Sequence, residues 1–266
     1  MTDPVAKPAG PAQLFDLTGQ VALVTGASRG LGWAAAQALA AAGAHVILNG
    51  RTPEAVEEKR SLLAGWGFSA EALPFDTGDA KAAEAAFAII AARHKRLDIL
   101  YSNTASTVRK PFLELEEGEF QGVLDQSLLA GWRLSRLAAP LMAERHYGRI
   151  VFVSSINATI ARPSISSYVT AKTALHGLVR GLCADLAPHG ITVNALAPGY
   201  FLTDGNRPLR TAQPEFQQKI SDRTPAGRWG DPASDIGAAA LYLVSPAAAY
   251  TNGSVLTVDG GLTAQL

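Results

Sequence analysis

The sequence predicts an α/β fold, a single doubly wound domain built on a mostly or wholly parallel seven-stranded sheet. Short apolar runs alternate with longer Ala- and Leu-rich helical segments, and several of these runs contain no regularly spaced polar residues. Strands that are apolar on both sides are typical of a sheet covered by helices on both faces. The alternation itself favours parallel strands joined by right-handed crossovers. The predicted strands are residues 20–25, 44–49, a short third strand ending at 72–75, 97–101, 149–154, 191–196 and 255–258, and the clearest helical segments are 33–42 and 80–93.

The ends of the chain and one internal segment depart from this alternation. Residues 1–14 are rich in Pro, Ala and Gly and are interpreted as a flexible arm, so that residues 15–266 form the domain. The segment 199–232 contains four prolines and a short polar helix candidate over 214–222. Because an excursion of this length in a compact domain is usually a lid or a binding loop, we expect a lid-like role for it.

Composition excludes several classes of protein. The chain has 266 residues, 48% hydrophobic and 17% charged, which favours a folded globular protein over a disordered one. The 23 basic residues equal the 23 acidic ones, so neither nucleic acid nor an anionic membrane is an expected partner. The apolar runs are too short for a membrane span or a signal peptide, which predicts a cytoplasmic protein. The single cysteine, Cys183, cannot form an internal disulfide, and the five histidines have no metal-ligand spacing, so no catalytic metal is expected.

A glycine-rich turn follows the first predicted strand and opens the first helix. It reads Thr-Gly-Ala-Ser-Arg-Gly-Leu-Gly over residues 25–32. Glycines allow a tight turn and let backbone N–H groups approach a phosphate, and the helix N-terminus adds partial positive charge. The alternative, a strand–helix turn that binds nothing, is less favoured at this position. The predicted dinucleotide contacts in this turn are Gly26, Ser28, Arg29, Gly30, Leu31 and Gly32.

The end of the second strand indicates which dinucleotide is bound. Sites for a cofactor without a 2′-phosphate usually carry an acidic residue there, but this chain has Asn49, Gly50 and Arg51. Arg51 and Arg29 offer two cations near the expected adenosine ribose, and arginine suits a phosphate. The sequence therefore favours NADP over NAD, unless one or both arginines merely face solvent.

Tyr168 and Lys172 stand four residues apart in a predicted helix, which places a phenol and an ammonium on one face. A free phenol titrates near about 10, and a neighbouring cation lowers that pKa by stabilising the phenolate. The pair suggests proton transfer to or from a substrate oxygen. On its own such a pair is more often part of a solvated helix face.

Taken together, these motifs resemble the short-chain dehydrogenase/reductase family from about Phe15 to Leu266. The glycine turn, the tyrosine–lysine pair, the run 194–199 and the tail 258–261 match in order. The resemblance implies a Rossmann-type domain and an NADP-dependent oxidoreductase that interconverts a secondary alcohol and a ketone. It also implies a homotetramer.

The resemblance also assigns roles to residues. It implies that Tyr168 is the acid/base, that Ser155 hydrogen-bonds the same substrate oxygen, and that Lys172 holds the nicotinamide ribose and lowers the tyrosine pKa. Ser127 occupies the place of an asparagine that helps to position a proton-relay water, so the relay is kept through another water, weakened or rerouted. Ala105 replaces a glycine of the family pattern. Further implied cofactor contacts are Asp76, Thr77, Asn103, Pro198, Gly199 and Thr203, although Asp76 could instead cap a helix and Thr203 could be an ordinary loop hydroxyl.

Within the family, the runs 46–51, 197–201 and 223–230 are most similar to gluconate 5-dehydrogenases. This similarity makes a sugar acid such as gluconate or 5-ketogluconate the expected substrate. Two alternatives stay open, a 3-oxoacyl-thioester reductase of the acyl-carrier-protein type and a dinucleotide-binding protein with little turnover. Arg109 and Arg162 are candidates for a substrate carboxylate, or else solvated surface charges, and Asn157 and Tyr200 are candidate partners of a polyol.

Overall fold

The computed structural model describes residues 9–265 and contains one sheet of seven strands in which every neighbouring pair is parallel. The strands are β1 (Val21–Val24), β2 (His45–Leu48), β3 (Ala70–Ala72), β4 (Ile99–Ser102), β5 (Gly148–Val153), β6 (Ile191–Pro198) and β7 (Val255–Val258). Their order across the sheet is β3-β2-β1-β4-β5-β6-β7, so the direction of succession reverses between β1 and β4. The predicted fold class, a doubly wound α/β domain, is confirmed.

Helices cover both faces of the sheet. They are α1 (Pro11–Leu14), α2 (Gly30–Ala41), α3 (Pro53–Gly65), α4 (Ala80–His94), α5 (Glu117–Leu124), α6 (Ala130–Ala143), α7 (Ser166–Leu186), α8 (Arg207–Ala212), α9 (Pro214–Arg223) and α10 (Gly237–Val244). A π-helical turn, Asp125–Leu129, joins α5 to α6, and a second one, Pro232–Ile236, leads into α10. The predicted helices at 33–42 and 80–93 correspond to α2 and α4.

Two hydrophobic cores form because successive strand residues point to opposite faces. In β1, Ala22 and Val24 pack in the core that includes α2, α3 and α10. Val21 and Leu23 pack in the core that includes α4, α6 and α7. Full burial of a side chain such as valine or leucine contributes roughly 1.5–3 kcal/mol. The strands are therefore held from both sides, and their carboxyl ends form a fixed base for the polar loops.

The third strand differs from the predicted one. It spans Ala70–Ala72 and does not extend to Phe75, because Pro74 has no N–H to offer its neighbour. The chain still follows β2 beyond the strand, since the N–H of Leu73 donates to Leu48 and that of Phe75 donates to Gly50. The difference is thus a loss of regular pairing and not a change of direction.

The segment 199–232 is more ordered than a plain loop. It contains the predicted polar helix as α9 and an additional short helix, α8. Its two ends are joined by backbone pairing, because Phe201 and Gly230 form an isolated parallel β-bridge. The N–H of Leu202 donates to the Gly230 carbonyl at 3.0 Å, and the N–H of Gly230 donates to the Tyr200 carbonyl at 2.9 Å. A lid-like movement of the part between these ends stays a prediction.

At the N-terminal side, residues 11–14 form the single turn of α1, and residues 1–8 of the predicted arm lie outside the described residues. Among the helices between residues 9 and 265, none combines the length and the apolar character that a bilayer crossing requires.

Candidate active site

The candidate site lies at the carboxyl edge of the sheet, where the strand order reverses. The loops after β1 and β4 are tied together there, because the Thr25 hydroxyl accepts the backbone N–H of Asn103 at 2.9 Å. The Asn103 side chain donates to the Gly26 carbonyl at 3.3 Å. A cleft of about 410 Å³ opens above these loops. Ligands of doubly wound sheets bind at this switch point, so the position matches the sequence-based expectation.

The glycine turn forms one wall of this cleft and fits a pyrophosphate group. Gly26 and Gly30 have φ values of +61° and +57°, a left-handed backbone that disfavours other residues. A Cβ at Gly32 would lie 2.3 Å from the Gly26 carbonyl oxygen, so α2 approaches the turn at a distance that glycine alone permits. The first turn of α2 contains no acidic residue to compete with an anion. The residues of the turn that line the cleft are Gly26, Ser28, Arg29, Gly30 and Leu31, with Gly32 packed behind them.

Two arginines stand at the end of the cleft that is predicted to hold the adenosine. Arg29 and Arg51 both line it, are exposed, and form no salt bridge within residues 9–265. Asn49 is buried and uses its amide to donate to the carbonyls of Leu73 and Phe75. Asn49 therefore holds the strand end together, and the arginines are the groups available to a ligand phosphate.

The loop after β3 contributes Thr77 to the cleft, whereas Asp76 is absent from the lining. The Asp76 carboxylate accepts the N–H of Gly78 at 2.9 Å. The alternative role of Asp76 as a helix cap is wrong, because Asp79 caps α4 by accepting two N–H groups of its first turn. Thr77 is buried and its hydroxyl lacks a hydrogen-bond partner in the described chain, which leaves it available to a bound molecule.

The other end of the cleft holds the residues predicted to contact the nicotinamide. Gly199 and Thr203 line the cleft, and Pro198 is the last residue of β6. A Cβ at Gly199 would lie 2.7 Å from the Cβ of Asp259, so a larger residue at this position would clash with Asp259. Ala105, which replaces a glycine of the family pattern, also lines the cleft, so its methyl group borders the space a cofactor would occupy.

Ser155, Tyr168 and Lys172 meet where β5 ends and α7 begins. The Ser155 side chain accepts the N–H of Asn157 at 3.1 Å, which orients its hydroxyl. Lys172 is 2% exposed, and its ammonium donates to the Val153 carbonyl at 2.5 Å. The same ammonium lies 5.6 Å from the centroid of the Tyr168 ring, as expected for residues four apart on a helix. The structure thus brings three of the four predicted catalytic side chains together at one strand end.

Burial and neighbouring groups act in opposite directions on the pKa of the phenol in this group. Burial raises the pKa of Tyr168, while the Ser155 hydroxyl and the charges of Arg162 and Arg109 act in the opposite direction. Burial also lowers the pKa of Lys172 to about 8. The Lys172 ammonium donates to a backbone carbonyl and lies near the Tyr168 ring as well, so its predicted effect on the tyrosine pKa stays a prediction. The charges of Arg109 and Arg162 act on the phenol in the same direction.

Lys172 should give the protein a distinctive dependence of stability on pH. Because its pKa falls from 10.5 to about 8 on folding, the unfolded chain binds the proton between these values and the folded chain does not. Stability should therefore rise with pH in this window, by up to about 1.4 kcal/mol per pH unit, and this gain is lost as the pH falls through about 8. Urea unfolding of the wild type and of Lys172→Met, compared below about pH 10 where free tyrosines stay protonated, measures the difference. Parallel slopes in the two proteins would contradict this assignment.

Ser127 lies in the π-helical turn between α5 and α6 and is 4% exposed. Its hydroxyl accepts the N–H of Ser106 at 3.1 Å and donates to the Ser106 carbonyl at 3.3 Å. The side chain is thus committed to the backbone of the loop after β4. Within residues 9–265 its hydroxyl has no hydrogen bond to Lys172. In the structure Ser127 therefore stabilises the loop after β4, and its role in a proton relay stays a prediction.

A second pocket of about 250 Å³ adjoins the cleft and contains the predicted substrate residues. Gly199 and Asn206 line both spaces, so the two are contiguous. Arg162 Nε is buried without a hydrogen-bond partner among the described residues. The guanidinium in this pocket wall therefore has an N–H group from which a bound molecule could accept a hydrogen bond. The predicted residues that line the pocket are Arg109, Ser155, Asn157, Arg162, Tyr168 and Tyr200.

The same pocket has an aromatic wall that was not predicted from the sequence. Tyr200 packs against Trp229 with ring centroids 5.1 Å apart, and Phe216 lies 6.1 Å from Trp229. The Trp229 indole donates to the Gln217 carbonyl at 3.0 Å, which holds it against α9. These residues come from different parts of the segment 199–232 and meet only when its ends are bridged. The one available signal was an aromatic residue on each side of an otherwise polar helix.

The chain is similar to proteins of known sequence over nearly its whole length. A family profile described as enoyl-(acyl carrier protein) reductase matches residues 26–263. The chain is 38% identical over 253 residues to gluconate 5-dehydrogenase of Gluconobacter oxydans, which covers 95% of this chain and 98% of the relative. It is 36% identical over 249 residues to 5-keto-D-gluconate 5-reductase of Escherichia coli, covering 94% and 97% of the two chains.

Solved structures agree with the sequence comparison. A crystal structure of gluconate 5-dehydrogenase from Burkholderia cenocepacia, in complex with NADP and tartrate, superimposes with a TM-score of 0.91 at 36% identity. The match covers 96% of this chain and 99% of that one. Since relatives more than a third identical match nearly from end to end and the profile spans most of the residues, the chain belongs to the short-chain dehydrogenase/reductase family.

Proposed function

We propose that this protein is an NADP(H)-dependent oxidoreductase that interconverts a secondary alcohol and a ketone on a sugar acid, with gluconate and 5-ketogluconate as the pair to test first. The observation that carries this proposal is one pocket that combines two hydroxyl groups, Ser155 and Tyr168, with two arginines, Arg109 and Arg162. The pocket opens into the cleft that fits a dinucleotide. Alcohol–ketone chemistry and carboxylate recognition are thereby supported at one place.

NADP is the proposed cofactor. The glycine turn would hold its pyrophosphate, and Arg29 and Arg51 would hold the 2′-phosphate, because an arginine fork matches phosphate geometry. Thr77, with a buried hydroxyl that lacks a partner in the described chain, is a further candidate contact. The NADP bound in the Burkholderia relative supports this choice. When bound, the cofactor would supply the hydride-transfer chemistry, and the protein would supply orientation and electrostatics.

Tyr168 acts in this proposal as the acid/base. Its phenol gives a proton to the substrate oxygen when a ketone is reduced, and takes one when an alcohol is oxidised. Ser155 donates a hydrogen bond to the same oxygen as negative charge develops on it. The arginines of the pocket stabilise the phenolate, and Lys172 would hold the nicotinamide ribose of a bound cofactor. The raised pKa of Tyr168 keeps the phenol protonated at neutral pH before these groups act together with a bound cofactor.

The polar pocket supports a sugar acid over other substrates of this chemistry. A carboxylate would face Arg162 and Arg109, and hydroxyl groups would meet Asn157 and Tyr200. Tartrate, which the Burkholderia relative binds, also carries carboxylates and hydroxyls. A site built to hydrogen-bond a polyol discriminates strongly against analogues that lack those groups.

The enzyme-class alternative is a reductase of 3-oxoacyl thioesters. The family profile carries an acyl-carrier-protein name, and a 3-oxoacyl-(acyl-carrier-protein) reductase of Vibrio cholerae is 32% identical over 248 residues. Such a substrate needs an apolar channel, whereas the pocket here combines its aromatic wall with two arginines and several hydroxyls, which suit a carboxylate and a polyol. The pocket therefore favours the sugar acid.

A substrate panel tests the proposed function. NADPH binding is measured by fluorescence titration, and turnover is measured with 5-ketogluconate, a 3-oxoacyl thioester and a neutral ketone. We expect turnover that is highest with the sugar acid. Highest turnover with the thioester would favour the acyl reductase, and tight NADPH binding without turnover would favour a dinucleotide-binding protein.

Arg51→Ala should weaken NADPH binding far more than NADH binding. A hydrogen bond to a charged group contributes about 1.5–3 kcal/mol, so we expect an increase in Kd of roughly 10- to 100-fold for NADPH and little change for NADH. Fluorescence titrations at fixed ionic strength measure both. The matched control is Arg60→Ala, because Arg60 pairs with Glu57 on the surface of α3. Equal losses for both cofactors in Arg51→Ala would defeat the 2′-phosphate assignment.

We also propose a cytoplasmic homotetramer. The large apolar side chains that stay exposed near α5 and α6 support association, with Trp132 at 45%, Leu113 at 95% and Phe112 at 76% exposed. Light scattering after size exclusion measures the oligomeric state, and cell fractionation measures the location.

A further inference from the structure

Two histidines and a glutamate meet at the edge of the sheet, away from the cleft. His45 is the first residue of β2, Glu71 lies in β3, and His94 is the last residue of α4. One candidate ligand atom from each lies within 4.8 Å of the other two. The cleft residue Arg51 follows the opposite end of β2, so this cluster belongs to the amino end of the sheet.

His45 is oriented as a metal ligand would be. Its Nδ1 lies 2.7 Å from Ser69 Oγ. When Nδ1 donates to that hydroxyl, the free lone pair of the ring lies on Nε2, the arrangement that outer-shell partners of ligating histidines impose. Nε2 is buried and has no hydrogen-bond partner among the described residues. A buried polar atom without a partner calls for an explanation, and a bound cation would provide one.

The other two members already lie in contact. His94 Nε2 is 2.9 Å from Glu71 Oε1, and the rings of His45 and His94 have centroids 4.9 Å apart. Arg93 reaches Glu71 Oε2 at 3.3 Å, so it orients the carboxylate from outside. A plain hydrogen bond between His94 and Glu71 accounts for that pair, but it leaves His45 Nε2 unexplained. The side chains of Glu71 and His94 are 20% and 18% exposed, so the cluster is shielded yet reachable.

We propose that His45, Glu71 and His94 bind a divalent transition-metal ion, with Zn²⁺ as the ion to test. Imidazole nitrogens and a carboxylate oxygen suit this ion, which takes four ligands in a tetrahedron and accepts water as the fourth. Bond lengths near 2.0–2.1 Å place such ligand atoms about 3.3 Å apart. In the structure the three ligand atoms lie within 4.8 Å of one another, and His94 Nε2 is 2.9 Å from Glu71 Oε1, so the side chains would adjust when the ion binds. The ion would join β2, β3 and α4, and the prediction that the reaction itself uses no metal is untouched.

The test measures metal binding and needs no turnover. The full chain is freed of metal with a chelator and titrated with Zn²⁺ in competition with a chromogenic chelator. We expect one equivalent per chain, a loss of affinity of more than about 10-fold in His45→Ala and His94→Ala, and a loss of about 10-fold in Ser69→Ala. His189→Ala is the matched control, because His189 is exposed and lies outside the cluster. It should bind as the wild type does.

A second readout keeps the test independent of folding. Circular dichroism confirms that each variant is folded, and Glu71→Gln removes the charge with almost no change of shape. Zn²⁺ should raise the Tm of the wild type and of His189→Ala but not that of Glu71→Gln. The proposal is overturned if the wild type takes up no Zn²⁺, or if its uptake persists unchanged in His45→Ala, His94→Ala and Glu71→Gln.

Discussion

Replacing Tyr168 with Phe is expected to lower kcat by about 10²- to 10⁴-fold, the usual contribution of a positioned acid/base, while NADPH binding changes little. The substitution removes one hydroxyl from a ring that the fold holds in place, so α7 and the glycine turn should be undisturbed. The phenol is the only group in the proposed mechanism that gives a proton to the substrate oxygen. Because the hydroxyl acts on the substrate, the loss should fall on kcat and not on the Kd for NADPH. Steady-state kinetics and fluorescence titration separate the two quantities.

Tyr250→Phe is the matched control, since Tyr250 is fully exposed at 104% and touches neither the cleft nor the pocket. It should keep the wild-type rate. An unchanged rate in Tyr168→Phe would show the proposed mechanism to be wrong. Equal loss of rate and of NADPH binding would instead make Tyr168 a structural part of the cofactor site.

Most of the fold could be predicted because its signals are local. The apolar strands read as covered on both faces, and the structure places a separate core on each face of β1. The third strand was the exception, since its last predicted residues include Pro74 and depend on backbone pairing that composition does not reveal. The short helix α8 was missed because six residues inside a Pro-rich segment carry no clear periodicity.

The candidate site, too, could be predicted only where its signals are local in the sequence. The glycine turn depends on backbone constraints that Gly26, Gly30 and Gly32 express directly in the sequence. The charges that act on Tyr168 cannot be recognised in the sequence in this way. Arg109 and Arg162 come from loops after different strands and approach the phenol only in the folded chain. A spacing rule identified Lys172 as a neighbouring cation, and its ammonium lies 5.6 Å from the centroid of the Tyr168 ring. The same rule could not show that this ammonium also donates to the Val153 carbonyl. The histidine cluster was invisible for the same reason, since its members lie on three separate elements.

Arg162→Met should raise the KM for the sugar acid by roughly 10- to 100-fold, equivalent to about 1.5–3 kcal/mol for a hydrogen bond to a charged group, and change the KM for a neutral ketone much less. Methionine keeps much of the apolar stem, so the loss reports the guanidinium and not the packing. The guanidinium is suited to the role because its Nε is buried in the pocket wall without a partner among the described residues. A carboxylate would satisfy it and receive a bidentate contact, whereas a ketone without an acid group would leave it as it is.

The same substitution should also act on the proton transfer. Arg162 is one of the charges that oppose the burial-raised pKa of Tyr168, so its removal should raise that pKa further. The limb of the pH–rate profile that reports the phenol should then shift to higher pH with either substrate, whereas the effect on KM should be confined to the acid. Arg180→Met, an exposed arginine of the same helix as Tyr168, should change neither quantity. Equal increases in KM for the sugar acid and the neutral ketone would mean that Arg162 shapes the pocket without recognising the carboxylate, and would move that role to Arg109.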